Sequence, residues 1–462
     1  MKHFRPTFLS ARFAGRSPAL LFVALVFTGC VGPQPAEQSA RAQLNEVGRV
    51  LPAHATSTTL AMLRSDSLPA DFFRYAVLHH PGVFAAYHDW QAAVESIAPA
   101  RALPDPLLTF EADITDALMT LMPGLMFDIM TPGKRAAMGN EATAASAVAY
   151  RTYVTTVLRT AATARKAWID LAYLDEALRL RAAALASLDQ AVSLANANYA
   201  TGRGMGTLEE QVRLANDAGR VRAELASLAD RRTAARTRFK SALGLAHSDP
   251  DPAWPQATLT ATSLPPDDEL WRRAQAANPE IAQMRAMIEM AIAGVEVARQ
   301  AGTPNFTLGL MADLKADPLM VRPTATVTLP IWREKLAALR ADATARRDAA
   351  AARLSAEQLK VAAEVAQMIY MVKEADRMIA YIEHTALPSY ERTIASIAAG
   401  YAAGMTGPAM IPGTRLMALG MEFERAGALR ERENAVTDLL LMIAAVAPAG
   451  SPLAADSTTA QP

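Results

Sequence analysis

The chain repeats itself, and this duplication restricts its fold more than any other feature. At an offset of 198 residues, HPGVFAAY at 80–87 aligns with NPEIAQMR at 278–285. Single landmarks align at the same offset without a gap: Arg101 with Arg299, Pro106 with Pro304, Thr109 with Thr307, Pro132 with Pro330, and Arg135 with Arg333. Near the end of each copy, an offset of 202 pairs NYATG at 198–202 with GYAAG at 400–404. Each element of the fold is therefore expected twice.

The duplication predicts the following order of segments. Residues 1–29 form a signal peptide, 30–65 an N-terminal linker, 66–247 the first repeat, 248–263 a Pro-rich linker, 264–447 the second repeat, and 448–462 a disordered tail. Each repeat is expected to contain a helix (about 68–100 and 267–301), a β-hairpin (about 107–130 and 304–329) and a long helical hairpin.

The hairpins are predicted because the hydrophobic period changes from helical to two. Apolar residues alternate with polar ones in LTFEADIT, GLMFDIM, FTLGLMAD and TATVTL. A half-buried sheet of a soluble protein shows the same alternation. These strands, however, are about 8–11 residues long, which is enough for a tilted strand to cross a bilayer. Four strands cannot close a barrel, so several copies must share one, and three copies supply twelve strands.

A very long helix is predicted to follow each hairpin. From residue 133 to 200 there is no proline, and a seven-residue series places Val157, Ala164, Leu171, Leu178, Leu185, Val192 and Tyr199 in one row. Such spacing is typical of coiled-coil pairing, here with a return helix at about 207–245. The turns at 201–206 and 404–413 form the tips of the two helical hairpins. A structural lipoprotein made of coiled coils and lacking a pore is the alternative, although it would not need the strands.

The only cysteine of the 462 residues, Cys30, follows a basic segment and an apolar run at 18–27. The run is too short to span a bilayer and is typical of a signal peptide. TGC at 28–30 resembles a bacterial lipobox, which predicts lipidation of Cys30. The alternative is an ordinary signal peptide cut nearby, with Cys30 incidental. A single thiol excludes a disulfide framework.

The order of these elements, with a hairpin ending in Pro before a basic GKR-type start, resembles the TolC-like outer-membrane efflux family over about 66–447. The resemblance implies an α+β membrane protein: a homotrimer with long coiled-coil-like helical hairpins and a shared twelve-stranded β-barrel. It also implies a passive exit duct of a tripartite efflux system, with a periplasmic adaptor (membrane fusion) protein and an inner-membrane efflux transporter as partners. The protein would lie in the outer membrane, and a lipid such as palmitate on Cys30 would place it in the lipid-anchored branch.

Two groups of site residues are expected under this interpretation. Polar strand residues should face the lumen, namely Glu111, Asp113, Asp128, Thr307 and Asp313, while Phe110, Leu308 and Leu310 should face lipid. Gate and adaptor-contact residues should lie at or beside the tips, namely Gly202, Arg203, Gly204, Glu209, Glu210, Gly404, Gly407 and Arg415. Glycines at these tips also fit simple turns.

Composition excludes other classes of function. The chain has 46 Lys and Arg against 46 Asp and Glu, which argues against a nucleic-acid partner. The seven histidines form no metal or catalytic motif, His79 and His80 are expected as partly exposed helix residues, and no enzyme activity, cofactor or metal site is expected. Several of the 21 methionines fall in the hairpins and tips. Thioethers suit Cu(I) or Ag(I), but methionine more often fills apolar gaps, so organic solutes or drugs are at least as well supported as substrates.

Overall fold

A computed structural model describes residues 34–51, 60, 63–114, 118–201, 207–255, 258–403 and 410–454. The first half contains α1 (Pro35–Val50), α2 (Pro69–His79), α3 (Pro81–Glu95), α4 (Ile97–Arg101), β1 (Leu107–Ile114), β2 (Leu118–Ile129), α5 (Pro132–Thr201) and α6 (Leu208–Ala242). The second half contains α7 (Asp267–Ala277), α8 (Pro279–Gln300), β3 (Asn305–Asp313), β4 (Met320–Thr328), α9 (Arg333–Tyr381), a π-helical turn (Ile382–Ala386), α10 (Leu387–Ala402) and α11 (Met410–Met442). The element order occurs twice, as the sequence predicts.

The first helical segment of each repeat is divided, whereas the sequence predicted one helix in each. The break falls at equivalent positions, His80-Pro81 and Asn278-Pro279, because proline favours an extended residue before it. Both residues then cap the next helix: the His80 ring accepts from the Gly82 N–H, and the Asn278 side chain accepts from two N–H groups. His79 is buried and stacks on Tyr75, so the expectation that both histidines are ordinary partly exposed residues is wrong.

The 70-residue helix α5 packs against helices of both repeats. The predicted seven-residue row is buried at Val157, Ala164 and Leu171 and only partly buried at the next three positions, and Tyr199 at its end is 53% exposed. A straight α-helix drifts by about 20° per heptad, so a strict seven-residue row moves off the contact face. None of the described helices is long and apolar enough to cross a bilayer.

The second helical hairpin differs from the first in its ascending helix, the long helix that runs from the strands to the tip. In the second repeat this helix is interrupted. The π-helical turn joins α9 to α10, and Pro388 stands in the first turn of α10. The proline lacks the N–H that an α-helix would use, and wider i→i+5 bonding before it keeps the chain helical. The proline therefore coincides with a local unwinding and not with an end of the helix.

The hydrophobic core lies around α5. One cluster joins α1, α3 and the C-terminal segment, with Val47, Trp90, Val157 and Val446 among its members. At its centre the Tyr153 hydroxyl donates to the Pro452 carbonyl oxygen at 2.6 Å. Burial raises the pKa of Tyr153, which keeps this phenol a hydrogen-bond donor at all physiological pH values. The C-terminal segment up to residue 454 is thereby fixed to the helical body.

The Pro-rich linker between the two repeats is held by a buried charge network. The Glu433 carboxylate on α11 accepts from the backbone N–H and hydroxyl of Thr262 and from Arg165 of α5. Arg432 bonds Asp376 and Glu433; burial alone lowers its pKa, but these bonds raise it on balance. The network therefore ties the linker to three long helices.

The four strands form one antiparallel sheet in the order β1-β2-β3-β4. Both β2 and β4 begin earlier than the sequence indicates, at Leu118 and Met320, and run through Pro123 and Pro323. Residues 115–117 lie between β1 and β2, and residues 314–319 lie between β3 and β4. The central contact is β2 against β3, so the two predicted hairpins meet in a continuous sheet.

Candidate functional site

The strand register divides the sheet into two chemically different faces. Residues paired across strands share a face, so the register places these apolar residues together: Leu108, Phe110, Leu121, Pro123, Leu125, Phe127, Ile129, Phe306, Leu308, Leu310, Ala312, Val321, Pro323, Ala325 and Val327. We call this set the apolar face. The opposite set, the polar face, contains Thr109, Glu111, Met122, Gly124, Met126, Asp128, Thr307, Gly309, Met311, Asp313, Arg322, Thr324 and Thr326.

The apolar face is open in the single chain. Phe110 is 70% exposed, and Leu108, Leu310 and Val327 are also exposed. Nine residues of strand β3 extend about 30 Å, and an apolar band of about 25 Å is the height seen on outer-membrane barrels. An uncovered apolar surface of this size marks a membrane or protein contact.

The polar face carries paired polar groups. The Thr307 hydroxyl donates to the Asp128 carboxylate, and the buried Asp313 carboxylate lies 3.8 Å from Arg322. Glu111 is exposed on the same face. Asp113 pairs in register with Thr120, but its side chain lies outside the described part of the structure. Arg322 is a residue that sequence reasoning missed, because the alternation was read only from Thr324 onward.

The basic start of α5 connects strands and helices. Lys134 donates to the Asn305 side chain at the start of β3 at 3.1 Å, and Arg135 donates to the Arg101 carbonyl oxygen at the end of α4. The Thr131 and Thr303 hydroxyls bond each other at 3.2 Å. The GKR-type motif thus fixes the junction at which the sheet meets the helical body.

Helix α1 is fixed near this junction by a buried carboxylate that the sequence did not reveal. Glu37 accepts from Arg41 at 3.1 Å and from Arg101 at 2.8 Å, while Arg41 also bonds Glu95. Arg101 precedes β1 by six residues, so α1 begins beside the strand end of the helical body. Cys30 itself lies outside the described residues.

The tips are described only in part. Glu209 is exposed in the first turn of α6, and Arg415 is exposed near the start of α11. Gly202, Arg203, Gly204, Gly404 and Gly407 lie outside the described residues, as does the side chain of Glu210. The gate and adaptor roles of these residues stay predictions. In the described part of the chain, no cluster of three His, Asp or Glu side chains is suited to hold a metal ion.

Comparison with known proteins agrees with this architecture. Residues 270–445 match the family model described as outer membrane efflux protein. No curated protein matches the chain.

Several solved structures share the fold across most of both chains. The outer membrane protein VceC of Vibrio cholerae is 20% identical with a TM-score of 0.67, over 82% of this chain and 96% of that one. The MtrE outer membrane channel of Neisseria gonorrhoeae is 16% identical with a TM-score of 0.69, over 86% and 94%. The CmeC outer membrane channel of Campylobacter jejuni is 12% identical with a TM-score of 0.66, over 82% and 86%. The resemblance to TolC-like outer-membrane efflux proteins is thus confirmed by the fold and, in the second repeat, by the family model.

Proposed function

We propose that this chain forms a homotrimeric outer-membrane channel, the passive exit duct of a tripartite efflux system. The observation that carries the proposal is the four-stranded sheet with one exposed apolar face and one polar face, positioned between helical hairpins. In this proposal the apolar face contacts lipid and the polar face lines the lumen, with Glu111, Asp113, Asp128, Thr307 and Asp313 along the path of the substrate.

The sheet edges support assembly from identical copies. Strands β1 and β4 are the two outer strands, and they run in opposite directions. The β4 strand of one copy can therefore pair antiparallel with β1 of the next, which is a head-to-tail contact that closes into a ring. Three copies give a twelve-stranded barrel, and closure removes the unpaired backbone groups that lipid does not tolerate. A coiled-coil lipoprotein without a pore would leave both edges and the apolar face uncovered.

A lipid anchor on Cys30 is consistent with the position of α1. Four residues separate Cys30 from Pro35, and a chain segment of this length can span at most about 18 Å between the two Cα atoms. That start is held beside Arg101, close to the strands that would enter the membrane. Replacement Cys30→Ser should abolish labelling by a fatty-acid probe and leave unprocessed precursor. Equal labelling of the variant and the wild type would exclude the anchor.

The helical hairpins would form the tunnel, with the tips towards an adaptor and an inner-membrane transporter. The test of the channel is electrical: protein purified from outer membranes should run as a heat-modifiable trimer and give single-channel steps in planar bilayers. Protein that inserts as a monomer, or that gives no conductance after opening variants at the tips are introduced, would favour the coiled-coil lipoprotein.

A further inference from the structure

Two methionines cross each other on the polar face, each covering a glycine of the neighbouring strand. Met126 of β2 is paired in register with Gly309 of β3, and Met311 of β3 is paired with Gly124 of β2. A Cβ atom on Gly309 would lie 3.0 Å from Met126 Cγ, and one on Gly124 would lie 2.7 Å from Met311 Cγ. The two glycines therefore make room for two long side chains that lie side by side, about 7 Å apart along the strands.

A third thioether continues this row. Met122 is two residues from Gly124 on β2, which makes it a diagonal neighbour of Met311 on the same face. It stands opposite Glu111 of β1. The methionines alternate between the central strands in the order Met126, Met311, Met122, and we call them the thioether row.

Unpaired oxygen atoms flank this row. The Thr109 and Thr324 hydroxyls are buried and have no hydrogen-bond partner among the described residues. Each hydroxyl lies beside one of the glycines. A Cβ atom added to Gly124 would lie 2.8 Å from the Thr109 hydroxyl, and one added to Gly309 would lie 2.6 Å from the Thr324 hydroxyl. Buried hydroxyl groups without a partner are uncommon in folded proteins, and each requires an explanation. Two equivalent places of this kind border the crossed methionines.

We propose that the thioether row is a transit site for soft monovalent cations, Cu(I) or Ag(I), on the export path. Neutral sulfur donors prefer such ions over hard cations, and flexible methionine side chains adapt to the low coordination numbers of these ions. The carboxylates of Glu111 and Asp128 on the same face supply negative charge without displacing the sulfur ligands. This inference rests on the proposed function, since it takes the polar face to be the lumen.

The same methionines could serve only to fill space over the glycines, and leucine substitution separates the two roles. Leucine keeps the apolar volume at a cost below about 1.5 kcal/mol but has no sulfur. The test uses the full-length trimer in detergent, in chloride-free buffer, with silver nitrate as the probe and equilibrium dialysis as the readout. The variant is Met126→Leu with Met311→Leu. The control is Met378→Leu with Met417→Leu, two exposed methionines on α9 and α11.

The wild type and the control should bind one tightly held Ag(I) per chain. Loss of even an outer-shell partner weakens metal sites by about 10–100-fold, so loss of two ligands should weaken this site by at least about a hundredfold. Equal silver binding by the double variant and the control would overturn the inference, as would the absence of tight binding in the wild type. Planar-bilayer conductance of the same preparations tests the proposed function separately: channels that conduct but bind no silver refute only the soft-cation site.

Discussion

Replacement of Glu37 by glutamine tests how the N-terminal helix is held. The Glu37 carboxylate is 2% exposed and forms ion pairs with Arg41 and Arg101. Glutamine has nearly the same shape, so the change removes the charge and leaves the packing of α1 intact. The expected effect is a weaker attachment of α1 to the helical body, with no change in the strands.

The magnitude follows from the exposure of the three groups. Removing one partner of a fully buried ion pair costs about 3–5 kcal/mol. Here the Arg41 and Arg101 side chains are 32% and 19% exposed, and Arg41 also bonds Glu95, so solvent reduces the effect. We expect a loss of about 2 kcal/mol, which corresponds to about thirtyfold more frequent opening of α1.

Hydrogen exchange of peptides from 35–50, measured on the full-length protein, reports this opening directly. The matched control is Glu95→Gln. It also removes a negative charge that pairs with Arg41, but the Glu95 side chain is 58% exposed. That change should alter the opening free energy by less than about 1 kcal/mol. If both variants increased exchange of α1 equally, burial of Glu37 would not be what holds the helix.

Three further predictions address the linker, the strand faces and the tips. Thr262→Val should lower the free energy of unfolding by about 1–3 kcal/mol, because the buried Glu433 carboxylate loses a hydrogen bond. Thermal melting measures this loss, and the control Thr260→Val, at an exposed position of the same linker, should not show it. If the apolar face contacts lipid as proposed, Leu308→Arg should cost about 2–4 kcal/mol and reduce outer-membrane trimer on unheated gels, whereas Thr307→Arg should not, and equal behaviour would refute the assignment of faces. Arg415→Glu should raise resting conductance without changing the amount of trimer, and unchanged conductance would remove Arg415 from the gate.

The order of elements could be predicted because it depends on periodicity, which is local in the sequence. The extent of the strands could not, since a proline removes a donor from the sheet ladder and normally ends a strand. The prediction therefore began each second strand after Pro123 and Pro323, whereas the structure extends both strands through them. Arg322 was missed for this reason, although it lies beside Asp313 on the polar face.

The contacts that join distant segments could not be predicted from the sequence either. Glu37 and Arg101 are 64 residues apart, and no pattern distinguishes this glutamate from those on the surface. The methionines of the strands were visible as a group, but their crossing over two glycines depends on the pairing of β2 with β3. Such a contact between residues of the two repeats can be recognised only when both hairpins are placed in one sheet.

The difference between the two repeats follows from a small change in their alignment. The offset between them is 198 residues at Arg135 and Arg333, where the long helices begin, but 202 at Tyr199 and Tyr401, near the tips. The second ascending helix thus contains four more residues than the first, and an insertion of four residues in a coiled coil locally unwinds it. The structure shows such unwinding as the π-helical turn at Ile382–Ala386, while the first helix stays α-helical from Pro132 to Thr201. The wider i→i+5 turn takes up part of the four-residue difference in length between the two ascending helices.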